Sequence, residues 1–157
     1  MAISILERIA ANVLSTINNV ALPNVTTTAG NPQTLKAIRP LKKTTPSHLL
    51  AVLFQLSPEL DNDSPLMTDQ RWQLFTVVVY VLPSETDTTP IDSYNNDIAA
   101  ALQLALMADY SRGGLAINTR MMPTIYFPPV DGEVCGIAFN FMVQYRTTLD
   151  NPYVGAI

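Results

Sequence analysis

In EVCGIAFNFMVQYR, residues 133–146, the side chains Cys135, Ile137, Phe139, Phe141, Val143 and Tyr145 fall at every second position. An extended chain points successive side chains to opposite faces, so these six make one unbroken apolar face. Gly136, Ala138, Asn140, Met142, Gln144 and Arg146 make the other, more polar one. At about 3.3 Å per residue the strand runs roughly 40 Å, comparable to the width of a domain of this size. The fold is therefore expected to be organised around one long strand.

Working outward from it, Pro128-Pro129-Val130-Asp131-Gly132 reads as a turn, preceded by a strand at Thr124–Phe127, a break at Pro123 and an edge-like strand near Leu115–Arg120. Upstream lies a helix over Ser93–Asp109, with Asp92 as N-cap and Gly113-Gly114 beyond its end. Ile98, Leu102, Ala105 and Leu106 form its stripe and Leu104 and Met107 its flank, an arc wide enough to predict burial on two sides. Trp72–Leu82, rich in β-branched and aromatic residues, is a strand expected to pair with Leu49–Leu56 across a long acidic connection. Its two faces, Phe75, Val77, Val79, Val81 and Leu74, Val78, Tyr80, Leu82, both require cover. Helices can supply one face; a second layer or a neighbouring subunit must supply the other. The chain opens with an amphipathic helix over Ile5–Asn18, started by a Ser4/Glu7 capping box, then a loop over Asn19–Asn31 and a short strand near Thr34–Arg39 that Pro40 ends. This order reads as α+β: an antiparallel β-sheet with two main helices packed on it and a long C-terminal β-hairpin.

The 157 residues, 48% hydrophobic and 14% charged, fit a single domain over 1–157 with an extended tail at 147–157. The charged share is below the roughly 25% usual for soluble domains, so the surface is expected to hold apolar area that association would cover. Nine Lys and Arg against thirteen Asp and Glu give a net charge of −4. That argues against tight wrapping of nucleic acid, which needs clustered cations, but is compatible with a wall past which DNA slides. Glu7 and Arg8 stand early with no long apolar run, so neither a signal peptide nor a membrane anchor is expected, and synthesis and initial residence in the cytoplasm are. The sequons at Asn24 and Asn62 then carry no sugar. Cys135 is the only cysteine, which excludes an intrachain disulfide, and its position predicts a small buried hydrophobe.

The residues supply no reaction. His48 is the only histidine, with no second imidazole or carboxylate close in sequence, so a zinc site or a Ser-His-Asp triad would need distant partners throughout. No carboxylate pair is held on one element at a spacing suited to acid–base work, and Arg112-Gly113-Gly114 reads as a helix stop rather than a phosphate cradle. No catalytic, cofactor or metal residue is assigned. Lys36, Arg39, Lys42 and Lys43 do gather four of the nine basic residues in one stretch, opposite in sign to the run containing Glu59, Asp61, Asp63 and Asp69. Heterologous subunit contacts are one use for that asymmetry, and lysines that block unwanted strand pairing on a solvated edge are another. Arg120 and Arg146, near strand ends, are candidates for ion pairs across an interface or ordinary surface arginines.

Five features together resemble the tail terminator, or tail completion, proteins of long-tailed bacteriophages: the helix Ile5–Ile17, the Lys36–Pro40 strand ending in Arg-Pro, the paired strands ending at Pro83, the helix through Asn96-Asp97-Ile98, and the Asp131-Gly132 hairpin running into Phe141-Met142-Val143-Gln144-Tyr145-Arg146-Thr147. The likeness is one of size, element order and ending, over nearly the full chain. It implies a structural virion protein at the tail–neck junction, assembled in the host cytoplasm. A hexameric ring would cap the tail tube, stop its growth and meet the neck or connector proteins, with DNA passing through ungripped. It implies no enzyme activity, no cofactor and no membrane. The long loops Asn19–Asn31 and Ser57–Asp69 depart from so compact a plan; they fit added contacts to tube, sheath or neck, or another place in the head–tail connection. A small cytoplasmic ligand-binding domain or enzyme, with a pocket between the second helix and the sheet, is the alternative from a different class.

Overall fold

The structure, a computed structural model, describes residues 2–26, 32–60, 67–82, 88–127 and 135–155. Its spine is a pair of long antiparallel strands, β5 (Thr68–Val81) and β8 (Cys135–Thr148), joined without a break from Val81↔Cys135 to Thr68↔Thr148. On the far side of β5 lies β4 (Leu50–Leu60), then β3 (Lys36–Ile38) at the edge. The other edge of β8 is shared by three short strands, β7 (Ile125–Phe127), β6 (Asn118–Met121) and β9 (Asn151–Gly155).

Alternation decides which face meets the helices. Cys135, Ile137, Phe139, Phe141, Val143 and Tyr145 are all buried, as are Phe75, Val77, Val79 and Val81 of β5 and Ala51 and Leu53 of β4. The register partners Phe75 and Phe141 stack with centroids 5.5 Å apart. Helix α1 (Ile5–Ile17) lays Ile5, Ile9, Ala10, Val13 and Ile17 on this face, and α2 (Ile91–Ala108) adds Tyr94, Ile98, Leu102 and Leu106. Each such aliphatic or aromatic side chain contributes roughly 1.5–3 kcal/mol of transfer free energy, so this one layer carries the stability of the domain.

The ends of the helices follow from local chemistry. Ser4 Oγ accepts the Glu7 N–H at 3.2 Å, but the Glu7 carboxylate pairs with Arg39 at 2.6 Å, so only half of the expected capping box forms. Helix α2 begins two residues earlier than the sequence reading, with Pro90 as N-cap and Asp92 inside the first turn. The Pro90 carbonyl accepts the Ser93 and Tyr94 N–H groups, and no side chain caps the helix there. At the far end α2 stops at Ala108 with Asp109 as C-cap, and Gly113 and Gly114, with φ of 68° and 79°, shape the turn that follows rather than the helix end itself.

Four expectations change. The segment read as a loop from Asn19 contains β1 (Ala21–Thr26), which pairs antiparallel with β2 (Pro32–Thr34) in a separate two-stranded sheet; Pro23 is tolerated because such a ribbon is all edge. Strand β3 runs parallel to β4, so the main sheet is mixed; side-chain alternation carries no information about strand direction. The tail after Thr147 is a hairpin rather than an extended end, turned by Leu149 and Asp150 with Asp150 at φ 67°. And α2 is buried on one side only, with Leu104 77% and Met107 42% exposed.

Beyond the helices the sheet continues as an arm. Gln55 to Glu59, where the register of β4 shifts, are exposed at five successive positions and so are all five residues of β9, while Gln73, Tyr145 and Thr147 between them stay buried. Met67 and Leu149 meet at its tip, where the Leu149 N–H donates to the Met67 carbonyl.

Gly136 sits where β8 presses closest on β5: a Cβ there would collide with the Val79 carbonyl. Gly136→Ala is expected to lower stability by about 3 kcal/mol, at the upper end of overpacking costs, because backbone on both sides must shift. Equilibrium denaturation against the wild type measures this, and a loss under 1 kcal/mol would mean that the two strands separate there easily.

Candidate functional site

The outward face of the sheet is built from the even-numbered residues of the spine. Val52, Ala138 and Met142 are buried there by their neighbours, whereas Phe54, Trp72, Leu74, Val78 and Tyr80 keep part of their surface in water. Both helices pack on the opposite face. Polar residues on this side are tied to each other: Thr76 Oγ1 donates to Asn140 Oδ1 at 2.7 Å, and Asn140 Nδ2 donates to the Pro123 carbonyl at 2.9 Å. The result is a partly exposed apolar surface with a hydrogen-bonded polar row through it.

A second apolar surface lies where α2 passes β1. A groove of about 560 Å³ is walled by Val20 and Pro23 on one side and by Ala100, Ala101, Leu104 and Ala108 on the other. Asp97 also borders it, but its two carboxylate oxygens are occupied, one by the Asn24 backbone N–H at 3.1 Å and one by Asn24 Nδ2 at 2.8 Å. This buried carboxylate therefore anchors β1 to α2 and places an acidic group in the wall of the groove.

At the root of the arm a smaller recess of about 240 Å³ is lined by Ser4, Leu6, Asp69, Arg71, Tyr145, Thr147 and Pro152. Its charges are already engaged. Arg71 donates to Asp69 at 2.8 Å, a bond that raises the guanidinium's pKa, and burial raises that of the Tyr145 hydroxyl. Ser4 Oγ, which also lines it, accepts the Glu7 N–H.

The interface candidates from the sequence scatter across these surfaces. Lys36 is exposed on β3, Lys42 and Lys43 in the segment that follows, and Arg39 is spent on Glu7. Glu59 is exposed on the arm; Asp61 and Asp63 lie outside the described residues. Arg120 is exposed on β6 opposite Met142. Arg146 is held within its own chain, where Nε donates to Gln70 Oε1 at 3.0 Å and Nη2 reaches the same oxygen, across the register pair of β5 and β8.

Two polar clusters were not legible in the sequence. His48 Nδ1 accepts the Leu82 N–H at 3.0 Å, which leaves the ring hydrogen on Nε2 to donate to Gln33 Oε1 at 2.9 Å; Gln33 Nε2 in turn donates to the Tyr94 hydroxyl at 3.2 Å. One imidazole thus ties the end of β5 to β2 and α2, a structural use that a lone histidine gives no signal for. Arg112 is fully buried and its Nη2 donates to the Leu106 carbonyl, closing the end of α2; burial pushes its pKa down and Asp109 opposes this. Cys135 donates its thiol to the Val81 carbonyl at 3.1 Å and burial pushes its pKa up, which disfavours the reactive thiolate. Among the described residues no group of three or more His, Cys, Asp or Glu side chains is placed to hold a metal ion, and no helix is long and apolar enough to cross a membrane. No protein-family model matches the chain, and no curated protein is significantly similar to it.

His48→Phe keeps the ring's bulk but removes the bonds to the Leu82 N–H and to Gln33 Oε1, so it is expected to cost about 1–3 kcal/mol. Equal stability by denaturation would show that neither bond contributes.

Asp109 accepts from the Ser111 hydroxyl at 2.9 Å and from the Gly113 N–H at 2.7 Å, and the Ser111 bond above all lowers its pKa below the ordinary carboxylate value. A carboxylate with a depressed folded-state pKa stabilises above its unfolded value and loses that contribution as pH falls through the folded one. Asp109→Asn is thus expected to melt below wild type at pH 7, with the gap closing under acid. A gap independent of pH would remove the charge from the account.

Proposed function

We propose that this chain is a ring-forming structural protein of the tail terminator kind, which closes on itself at the end of a phage tail tube, halts addition of tube subunits and joins the tail to the neck. The observation that carries the reading is the division of the sheet into two unlike faces. One is covered by the chain's own helices. The other, with Phe54, Trp72, Leu74, Val78 and Tyr80 partly in water, has no helix of the described residues over it, and the flank of α2 adds Leu104 and Met107. A monomer gains nothing from such surfaces, whereas a subunit that meets neighbours on two sides uses both.

The physical logic of capping follows from geometry. A contact between two different patches repeats with each added copy and must either close into a ring or grow into a filament, and a protein that ends a tube must close. Such a ring blocks growth if one rim matches the tube and the other does not. An acidic chain of net charge −4 suits a passage through which DNA moves, since it releases no counterions by gripping phosphates. The similarity in element order and in the Tyr145-Arg146-Thr147 ending supports the same reading, with the tube, neck and sheath proteins as partners.

Purified protein, alone or mixed with polymerising tube subunits, is expected to give closed rings in negative-stain electron microscopy and to shorten the tubes as its concentration rises. A chain that stays monomeric by light scattering at about 100 μM and leaves tube length unchanged would overturn the proposal.

A further inference from the structure

Independently of how copies meet, we propose that the recess at the root of the arm is a binding site for a single carboxylate group. Its floor is made by two neighbouring register pairs of the spine, Arg71↔Tyr145 and Asp69↔Thr147, whose side chains share the face that carries the helices. Ser4 and Leu6 at the start of α1 and Pro152 of β9 complete the walls. At about 240 Å³ the recess is smaller than the roughly 300–1,000 Å³ of sites for drug-sized molecules, so it suits a group of a few atoms.

Two hydroxyls carry the inference. Tyr145 and Thr147 are each only 6% exposed, both line the recess, and neither side-chain hydroxyl has a hydrogen-bond partner among the described residues. Polar groups at that depth are ordinarily paired, by protein, by water or by a ligand, because an unpaired one costs free energy. Burial raises the Tyr145 pKa, which keeps its hydroxyl a neutral donor. The other groups add further donors. Ser4 Oγ accepts the Glu7 N–H at 3.2 Å and has its own hydrogen left to give. Arg71 spends Nε and Nη2 on Asp69 Oδ2, each at 2.8 Å, and keeps both hydrogens of Nη1. A ligand that only accepts meets this set best.

Charge sets the valence of that ligand. Arg71 and Asp69 cancel, and the start of α1, a 13-residue helix with Ser4 as N-cap, adds the equivalent of about half a positive charge. One negative charge is favoured there, whereas a second would meet Asp69 at close range, so a carboxylate fits and a phosphate dianion does not. Leu6 and Pro152 offer apolar contact to a short alkyl stem. A free small acid and an Asp or Glu side chain of another protein chain present the same chemistry.

The test titrates the full wild-type chain with acetate and propionate at pH 7 in chloride-free buffer, followed by calorimetry and by the NMR signals of the Tyr145 ring. Both acids are expected to bind with a dissociation constant of about 1 mM, and acetamide, alike in shape but uncharged, at least tenfold more weakly. Tyr145→Phe and Thr147→Val each delete a hydroxyl that has no partner in the described chain, so both are expected to melt like the wild type and to bind acetate roughly tenfold more weakly. Tyr110→Phe, at an exposed position, is expected to change nothing. Acetate binding that both site variants retain in full would overturn the inference, as would phosphate binding tighter than acetate or a lack of saturable binding by either acid up to about 50 mM. A Tyr145→Phe chain that melts several degrees below wild type would give that hydroxyl a structural role and overturn it too. A peptide with capped ends and one Glu that binds at least tenfold tighter than propionate supports the inference and assigns the carboxylate to another protein chain; equal or weaker peptide binding, with propionate bound, supports it and assigns a free acid.

Discussion

Fourteen residue pairs bind β5 to β8, and every other part of the fold is attached to one or other of these two strands or to what they carry. Strand β4 and, through it, β3 hang on β5; β6, β7 and β9 share the free edge of β8; both helices rest on the face that the two strands present. Register is fixed twice over. A slip of one residue would turn Phe139 and Phe141 out to water and bring Asn140 and Gln144 into the core, and it would also move Gly136 away from the one place where the Val79 carbonyl leaves no room for a side chain. The hydrophobic pattern and a single steric contact therefore enforce the same alignment.

Which face of each strand turns inward was readable, because period-two alternation over 14 residues has few competing explanations; the pairing of β5 with β8 was not, since alternation names no partner. The six apolar positions from Cys135 to Tyr145, the four from Phe75 to Val81 and the stripe of α1 all face the core as their spacing requires. What escaped reading has physical causes. Direction is not encoded in alternation, so the parallel β3 was invisible. Pro23 and a run of threonines resemble a loop, yet Leu22 is fully buried and Asn24 is bound by Asp97, a partner 73 residues away. The wide apolar arc of α2 was legible as composition, but whether its flank meets the same chain or another one is not a property of the helix.

The polar interior was the least legible part. His48, Gln33 and Tyr94 come from three separate segments, and Arg112 closes α2 from six residues beyond Leu106. None has a spacing signature, because each bond depends on tertiary placement. The same holds for the interface candidates. Arg39 and Arg146, candidates in sequence for contacts across an interface or for ordinary surface positions, are both engaged within the chain, by Glu7 and Gln70 respectively, which leaves Lys36, Lys42 and Lys43 with the exposed charge of that region and Arg120 with that of β6. Such exposed charges steer encounter and select partners more than they add affinity.

The place of β8 in the chain has a kinetic consequence. Its partner β5 ends at Val81 and β8 begins at Cys135, so the pairing that defines the fold spans more than fifty residues, and the outermost pair, Thr68 with Thr148, spans eighty. Contacts of such long range form slowly because loop closure must precede any gain from them. On a ribosome, β3, β4, β5 and both helices emerge before the strand that completes their sheet, with the apolar face of β5 and the stripe of α1 uncovered until residue 148 is free of the exit tunnel. The residues before Cys135 therefore cannot form the spine of this sheet by themselves, and the fold is gained only when β8 joins them.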